Sequence, residues 1–399
     1  MPSSPHKVAI IGCGRMGQKY AYAYSAYPDT EIVAIAEYNE KRREIVGEKF
    51  GVKKLFPNVN KLLENIVPDV AAIITPTKFY KDAVIACAKA GVKAISTDKP
   101  IAAKLSDADQ MVEICESKGI ILAGGNLAKA GNQIQEVSKR IKDGIYGELK
   151  GASIHSFGNG EISGGGCQQI LVLELLTDSE IEQVTCWGTN LDIRKKTVIP
   201  DTKYEIMVAK GFNPGDLLSR KEADEITNST LNQKHDSQIM INGSFRMRSG
   251  IQTNVFGTKT PNTGVDVWSE NSMISWNWGS TQIYQGFDIN GNRLHINENF
   301  APYKWNQFNN LAGSTRSLIK ALKTGSTPWV TGRNLRQALE VAIASKLSAR
   351  SGSTPIKLPL TDRSLSLYPS PYRWSGGDNT GLPQSVKDAK RDLFSANVN

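Results

Sequence analysis

Cysteine is scarce in this 399-residue sequence. The five present, Cys13, Cys87, Cys115, Cys167 and Cys186, are odd in number, and no pair has metal-ligand spacing. That excludes a small disulfide-stapled scaffold and a cysteine zinc module, and no metal is expected. Free thiols in a reducing cytoplasm are the expected state. Long hydrophobic runs are also lacking. No stretch reaches about 18 apolar residues, so no membrane-spanning helix and no membrane partner are expected. The opening residues lead straight into a strand-like run without a separate apolar segment or cleavage site, so no secretory leader is expected. Charge is not concentrated either. The net charge is +9, and basic domains often bind phosphate backbones. Yet the basic residues are spread along the chain, and the densest cluster, Lys41-Arg42-Arg43, lies between Glu40 and Glu44. No nucleic-acid partner is expected.

What is present suits a large globular chain. Hydrophobic residues make up 40% and charged residues 22%, enough to bury a core in two or three domains. Residues 7–123 alternate short apolar strands (7–11, 31–36, 69–74, 92–96, 120–123) with helical patterns (15–27, 39–50, 77–90, 105–118). Strand–helix alternation predicts an α/β domain with a doubly wound parallel sheet, helices on both faces. A short helix is expected at 58–66 and another at 131–143, stopped by Gly144. From about 149 the pattern changes. A strand at 149–157 precedes a glycine-rich stretch and a helix at 167–176. Beyond 181, alternating runs at 182–187, 203–209, 238–248, 264–268, 273–278 and 282–288 predict an antiparallel sheet with one wet face. A polar loop is expected within 211–236, and helices at 304–323 and 333–350. The expected domains are 1–125, 126–360 and a Pro-, Gly- and Ser-rich extension, 361–399.

The strand at 7–11 runs into Gly12-Cys13-Gly14-Arg15-Met16-Gly17. G-x-G-x-x-G is weak alone but specific between a strand and a helix. Gly12 permits the tight turn, Gly14 lets backbone approach a pyrophosphate, and Gly17 lets helix pack on strand. The helix N-terminus then offers unpaired N–H groups to phosphates. Glu37, at the end of the second strand, can accept both adenosine-ribose hydroxyls and would repel a 2′-phosphate, which favours NAD over NADP. Arg42 and Arg43 bear on that choice; they are expected in a solvated first helical turn beside Glu40 and Glu44. The bland alternative for the glycines is a structural turn.

These residues, with Thr75-Pro76 after the fourth strand, Asp98-Lys99-Pro100 after the fifth, and the phrases at 86–92, 141–149 and 327–358, resemble the glucose–fructose oxidoreductase / inositol dehydrogenase / MocA (Gfo/Idh/MocA) family. The likeness covers about 7–190 and 304–360. It implies a dinucleotide-binding Rossmann domain followed by an α/β domain built on a large open, mostly antiparallel sheet. It also implies an NAD(P)-dependent oxidoreductase acting on a sugar, cyclitol or related polyhydroxylated small molecule, assembled as a dimer or tetramer. The family's E-K-P lysine corresponds to Lys99, which becomes the candidate acid/base, against the alternative of a surface lysine at a strand end. Asp98 stands for the family glutamate. Tyr80 stands for a histidine and is a candidate at the cofactor or substrate rim. Asn126 is a candidate for the nicotinamide ribose, and Lys129 for the place of an arginine.

The main departure lies after Gly164-Gly165-Gly166. The family carries an Asp and a His four residues apart on the next helix; here those positions are Ile170 and Glu174, and no histidine lies between His155 and His235. Three readings stay open. Glu174 takes the histidine's place as a catalytic group. Or the enzyme is an atypical reductase of a non-sugar substrate, with Lys99, a tyrosine or water managing protons. Or the chain is a non-catalytic, nucleotide-binding regulatory protein. For Glu174 itself the plain alternative is a solvent-facing residue on an apolar helix. His155 is either near the pocket or structural. The aromatics Trp268, Trp276, Trp278, Tyr284, Phe287, Trp305 and Phe308 are expected at a subunit contact, with sugar stacking or the sheet core as alternatives. Residues 369–374 are a candidate latch onto a neighbour.

Overall fold

The computed structural model describes residues 4–158, 161–188, 241–258, 260–278, 280–296, 309–369 and Arg373. Six strands form a first, wholly parallel sheet: β1 (His6–Ile11), β2 (Thr30–Ala36), β3 (Leu55–Phe56), β4 (Val70–Ile73), β5 (Ala94–Thr97) and β6 (Ile121–Gly124). Their spatial order is β3-β2-β1-β4-β5-β6. Val8–Ile11 and Val70–Ile73 are buried at every position, so apolar side chains leave both faces of the sheet and need covering on each. Helices α1 (Arg15–Ala26), α2 (Glu40–Phe50), α3 (Val59–Asn65), α4 (Tyr80–Ala90) and α5 (Leu105–Ser117) supply that cover. Their ends are set locally. The Asn39 side chain accepts from the Arg42 N–H to start α2, and Gly51, at φ 69°, ends it in the left-handed region. The strand order reverses between β1 and β4, and a ligand crevice opens beyond the carboxyl ends of such strands.

After α6 (Asn132–Lys142) the chain builds a nine-stranded sheet. Its members are β7 (Gly151–Ile154), β8 (Ile181–Gly188), β9 (Ile241–Met247), β10 (Gln252–Val255), β11 (Val265–Trp268), β12 (Ser272–Asn277), β13 (Ser280–Phe287), β14 (Arg293–Ile296) and β15 (Ile356–Lys357). The order is β14-β13-β12-β11-β7-β10-β9-β8-β15, and every pairing but the parallel β7–β10 is antiparallel. Period-two alternation separates the faces. Ala152, Ile154, Val184, Phe245, Val265, Val267 and Ile274 join the core under α7 (Cys167–Thr177) and α9 (Gly332–Arg350). Ser153, Asp266, Ser275, Gln282 and Tyr284 occupy the other face, as the one-wet-face pattern predicts.

Between the sheet and α9, helix α8 (Asn309–Thr324) returns to the first sheet and packs on α1 and β6. The Ser314 hydroxyl donates to the Gly125 carbonyl at 2.6 Å. The expected strand at 203–209 and loop at 211–236 lie outside the described residues, as do Trp305 and Phe308. Trp276 belongs to the core. Strands β3, β10, β14 and β15 were not expected. Among the described residues no helix is long and apolar enough to cross a membrane.

The extension is not a loose tail over its first residues. The Leu360 N–H donates to the buried Glu340 carboxylate. Arg363 pairs with both Asp109 oxygens at 2.7 Å and also reaches Glu340. The Leu105 N–H donates to Leu365 and the Leu367 N–H to Ala103, so the strand runs back along the first domain toward Lys99. Leu365 and Leu367 are buried there.

Candidate active site

The glycine loop has the backbone its sequence demands. Gly12 sits at φ 91°, and a Cβ there would lie 2.5 Å from the Ile74 carbonyl oxygen. A Cβ on Gly17 would overlap the Gly12 carbonyl, so only glycine lets α1 close on the loop. Gly14 is different: a Cβ would meet nothing within 4 Å. Its bareness is not needed by protein packing and leaves room for a diphosphate to approach backbone. Helix α1 begins at Arg15 with no side-chain cap and no acidic residue in its first turn, so its positive end faces that space. Arg15 is exposed and Met16 half-buried. Cys13 is buried, and burial, then the Glu37 charge, push its thiol up, so it is no nucleophile.

Glu37 is buried at the end of β2 and tied to the loop. Its Oε2 accepts the Cys13 N–H at 2.8 Å and its Oε1 accepts the Asn39 N–H at 2.9 Å. The expectation of a solvated Arg42 and Arg43 is corrected. Arg42 Nη1 stands 3.4 Å from Glu37 Oε1, and Arg43 Nη1 donates to the Glu37 carbonyl at 2.9 Å. Helix α2 starts only three residues after Glu37, which turns its first-turn arginines inward onto that residue. Glu37 thus has an arginine on its carboxylate and another on its carbonyl.

Across the crevice lie the ends of β4 and β5. Thr75 and Pro76 follow β4 beside Gly12, whose bare Cα is covered by the Ile74 carbonyl and the Thr75 N–H. Asp98-Lys99-Pro100 follows β5, with a cis Lys99–Pro100 bond. Lys99 is not the surface lysine of the bland reading; its side chain is only 10% exposed. Its Nζ donates to the Asn126 carbonyl at 3.1 Å and lies 3.3 Å from Asp98 Oδ1, which also accepts the Lys99 N–H at 2.8 Å. Asn126 is held in turn by its N–H, which donates to the Tyr20 hydroxyl at 2.8 Å. Tyr80 is buried rather than at a rim. It hydrogen-bonds the Asp98 backbone, and burial pushes its phenol up, so it supports the Asp98–Lys99 turn from behind.

The helix after the glycine run does not bring Glu174 to this cluster. Glu174 is buried, contrary to a solvent-facing place, and its Oε1 accepts the Ile181 N–H at 3.1 Å while the Gln337 side chain bonds it too. Lys99 and Glu174 share no hydrogen-bond partner. Burial pushes the Glu174 carboxyl up to about 7, against the pull of the Ile181 N–H and of Lys129. Lys129, near it, is lowered by burial. His155 lies on the open face of the second sheet. Its Nε2 is 2.9 Å from Asp266 Oδ2 and 2.8 Å from Ser153 Oγ, and its ring stacks on Phe256. Serine and aspartate meet the same nitrogen, so no proton relay passes through the ring, unlike a Ser-His-Asp triad. The polar recess of about 440 Å³ bounded by Asn262, Asp266, Ser275, Gln282, Tyr284 and Arg293 shares this open face. Neither loop nor lysine opens onto it.

Sequence reasoning missed two charged residues at the Lys99 turn. Arg373 of the extension pairs with Glu161, just ahead of the π-helical turn Ile162–Gly166 that carries the glycine run. No local pattern marks either residue. Arg373 binds within its own chain; residues 370–372 and 374 of the candidate latch lie outside the described residues. Among the described residues no cluster of His, Cys, Asp and Glu is suited to hold a metal ion.

Comparison with known proteins identifies the first domain and the overall fold. Residues 6–125 match the family described as "Oxidoreductase family, NAD-binding Rossmann fold" (GFO_IDH_MocA). Myo-inositol 2-dehydrogenase of Thermotoga maritima is 28% identical over 142 residues, 36% of this chain and 42% of that protein. D-apiose dehydrogenase of Paraburkholderia graminis is 32% identical over 141 residues, 35% of this chain and 37% of that protein. The alignment thus spans about two fifths of the length of these relatives. In overall fold the chain is similar to an oxidoreductase from Agrobacterium radiobacter, solved with NAD+, L-tartaric acid and magnesium. The TM-score is 0.65 at 17% identity, over 89% of this chain and 98% of that one. It is also similar to the aldose-aldose oxidoreductase from Caulobacter crescentus (TM-score 0.65, 18% identity, covering 89% and 100%). Residues 6–125, which hold the six-stranded parallel sheet, thus form an NAD-binding Rossmann domain of the Gfo/Idh/MocA oxidoreductase family.

Proposed function

We propose that this protein is an NAD-dependent oxidoreductase acting on a carbinol, or the corresponding ketone, of a sugar, cyclitol or related polyhydroxylated small molecule. The observation that carries the reading is Lys99, buried and hydrogen-bonded, at the end of β5 in the same crevice as the glycine loop. Gly12, Gly14 and Gly17, with the backbone of Cys13, Arg15 and Met16, would hold the diphosphate. Glu37 would hold the adenosine ribose, and Thr75, Pro76 and Asn126 border the nicotinamide side. Bound NAD supplies the hydride acceptor or, when reduced, the donor. Lys99 exchanges the proton: its amine takes the carbinol proton in oxidation, and its ammonium returns one in reduction. Asp98 and the Asn126 carbonyl fix the direction of Nζ, so the proton-bearing atom is preorganised.

Glu174 is tied to Ile181 and Gln337, so the proton step is assigned to Lys99 alone, and Glu174 joins α7 to β8. A homo-oligomer built through the open sheet face and a cytoplasmic location complete the proposal; the latter is supported by five buried cysteines that form no disulfide.

The test is NADH formation from NAD with a panel of neutral polyols. Lys99→Ala is expected to lower turnover by about 100- to 10,000-fold while NAD affinity stays within about twofold. Turnover unchanged in that variant would remove Lys99 from the chemistry.

A further inference from the structure

The Lys99 turn has a second charged pair beside it that the reading above does not use. Arg373 Nε lies 3.1 Å from Glu161 Oε1, and Nη2 lies 3.0 Å from Glu161 Oε2, a two-pronged contact. The third nitrogen, Nη1, points at the Lys99 carbonyl oxygen at 3.5 Å. The glycine run makes room for this arrangement. A Cβ on Gly164 would lie 2.7 Å from Glu161 Oε2 and 3.4 Å from Arg373 Nη2. The approach is built as well, because residues 360–369 are stitched along residues 103–106 and Asp109 and deliver Arg373 to the turn. Neither partner is sealed away: the side chains are 25% and 16% exposed.

We propose that Arg373, steered by Glu161, is a substrate-positioning residue of the Lys99 site, and that the pair binds neighbouring hydroxyls of a neutral polyol. This rests on the oxidoreductase reading. A guanidinium fork and a carboxylate side by side present donors and acceptors a few ångströms apart, which matches a vicinal diol, each hydroxyl being donor and acceptor at once. The charges also balance. Asp98 and Glu161 offset Lys99 and Arg373, so the cluster has no net charge with which to attract a sugar acid. Helix α7 turns Glu174 toward Ile181, and the polar contacts that the helix does not offer come instead from the loop before it and from the extension.

The experiment uses the full-length protein and three probes, myo-inositol, D-glucose and D-gluconate, with NADH bound for the affinity measurements and NAD supplied as the oxidant for turnover. Calorimetric affinity is measured for wild type, Arg373→Ala and Glu161→Gln, together with KM and kcat for any probe that turns over. Losing a hydrogen bond to a charged group is expected to weaken binding of the neutral probe, and raise its KM, by about 10- to 100-fold. The expected change in kcat is under about threefold and NADH affinity stays unchanged. Millimolar guanidinium is expected to restore part of the loss in Arg373→Ala but not in Glu161→Gln, which a mere loss of folding would not allow. Unchanged affinity and KM in Arg373→Ala would overturn the proposal while leaving the oxidoreductase reading intact if Lys99→Ala is dead. Binding without turnover in wild type, lost in Arg373→Ala, would uphold the positioning role and overturn the oxidoreductase reading. Failure of all three probes to bind wild type, or tighter binding of gluconate than of glucose, would overturn the neutral-polyol assignment.

Discussion

Lys99 and Glu174 show how differently two buried charges are treated. Lys99 has a carboxylate and a carbonyl on its Nζ. Glu174 has a backbone N–H and a glutamine, and burial outweighs them, raising its carboxyl to about 7. The direction matters for stability. A carboxyl whose folded value lies above its unfolded value binds a proton more tightly when folded. Its stability contribution is therefore present at low pH and lost as pH rises from near 4.5 to about 7. Glu174→Gln keeps an acceptor for the Ile181 N–H and removes the titration. Comparing urea unfolding at about pH 5 and about pH 8, the variant is expected to gain about 1–3 kcal/mol on wild type at the higher pH. Parallel pH profiles would contradict this account of Glu174. The sequence made this residue conspicuous because Leu171, Val172, Leu173, Leu175 and Leu176 surround it. It did not show which way it turned, because a helix apolar on nearly every side has no face that sequence can single out.

Local physics explains which elements were legible. The glycine loop, α1 and the parallel strands rest on patterns within a few residues, and Gly12, Gly17 and Glu37 stand where those patterns put them. Strand β10 escaped because its Gln252, Thr253, Asn254 and Val255 bring only Thr253 and Val255 to the core, too little alternation to read. Its stability comes from two neighbours, β9 and β7. The arginines of α2 were misplaced because a first-turn residue's direction depends on the angle at which the helix leaves the sheet. The open face of the second sheet sets its own expectation. Phe256 is 40% exposed there, stacked on His155, and a broad sheet face lined with such residues is covered by self-association. Sedimentation at micromolar concentration is expected to give at least about twice the chain mass. Phe256→Asp combined with Tyr284→Asp is expected to shift it to monomer. A monomeric wild type would refute the face as an interface.

At the scale of the molecule, the proposed site draws on distant parts: the Lys99 turn, the loop before α7, and the extension. Arg363 meets Asp109 across 254 positions and Arg373 meets Glu161 across 212. Pairings that long leave no spacing to recognise, and a Pro-, Gly- and Ser-rich stretch gives no periodicity, so the extension's role was invisible until the chain was folded. The N-terminal crevice is the opposite case, readable from one motif in its context. It also carries the claim on which the rest depends. The most direct measurement is a calorimetric titration of the purified protein, cleared of any retained cofactor, with NAD and with NADP, alongside Gly12→Ala. The account predicts that wild type binds NAD at least about tenfold more tightly than NADP, because the Glu37 carboxylate repels a 2′-phosphate. It also predicts that Gly12→Ala, strained at φ 91° and pressed on the Ile74 carbonyl, loses that binding. A wild-type protein that binds neither nucleotide would contradict it.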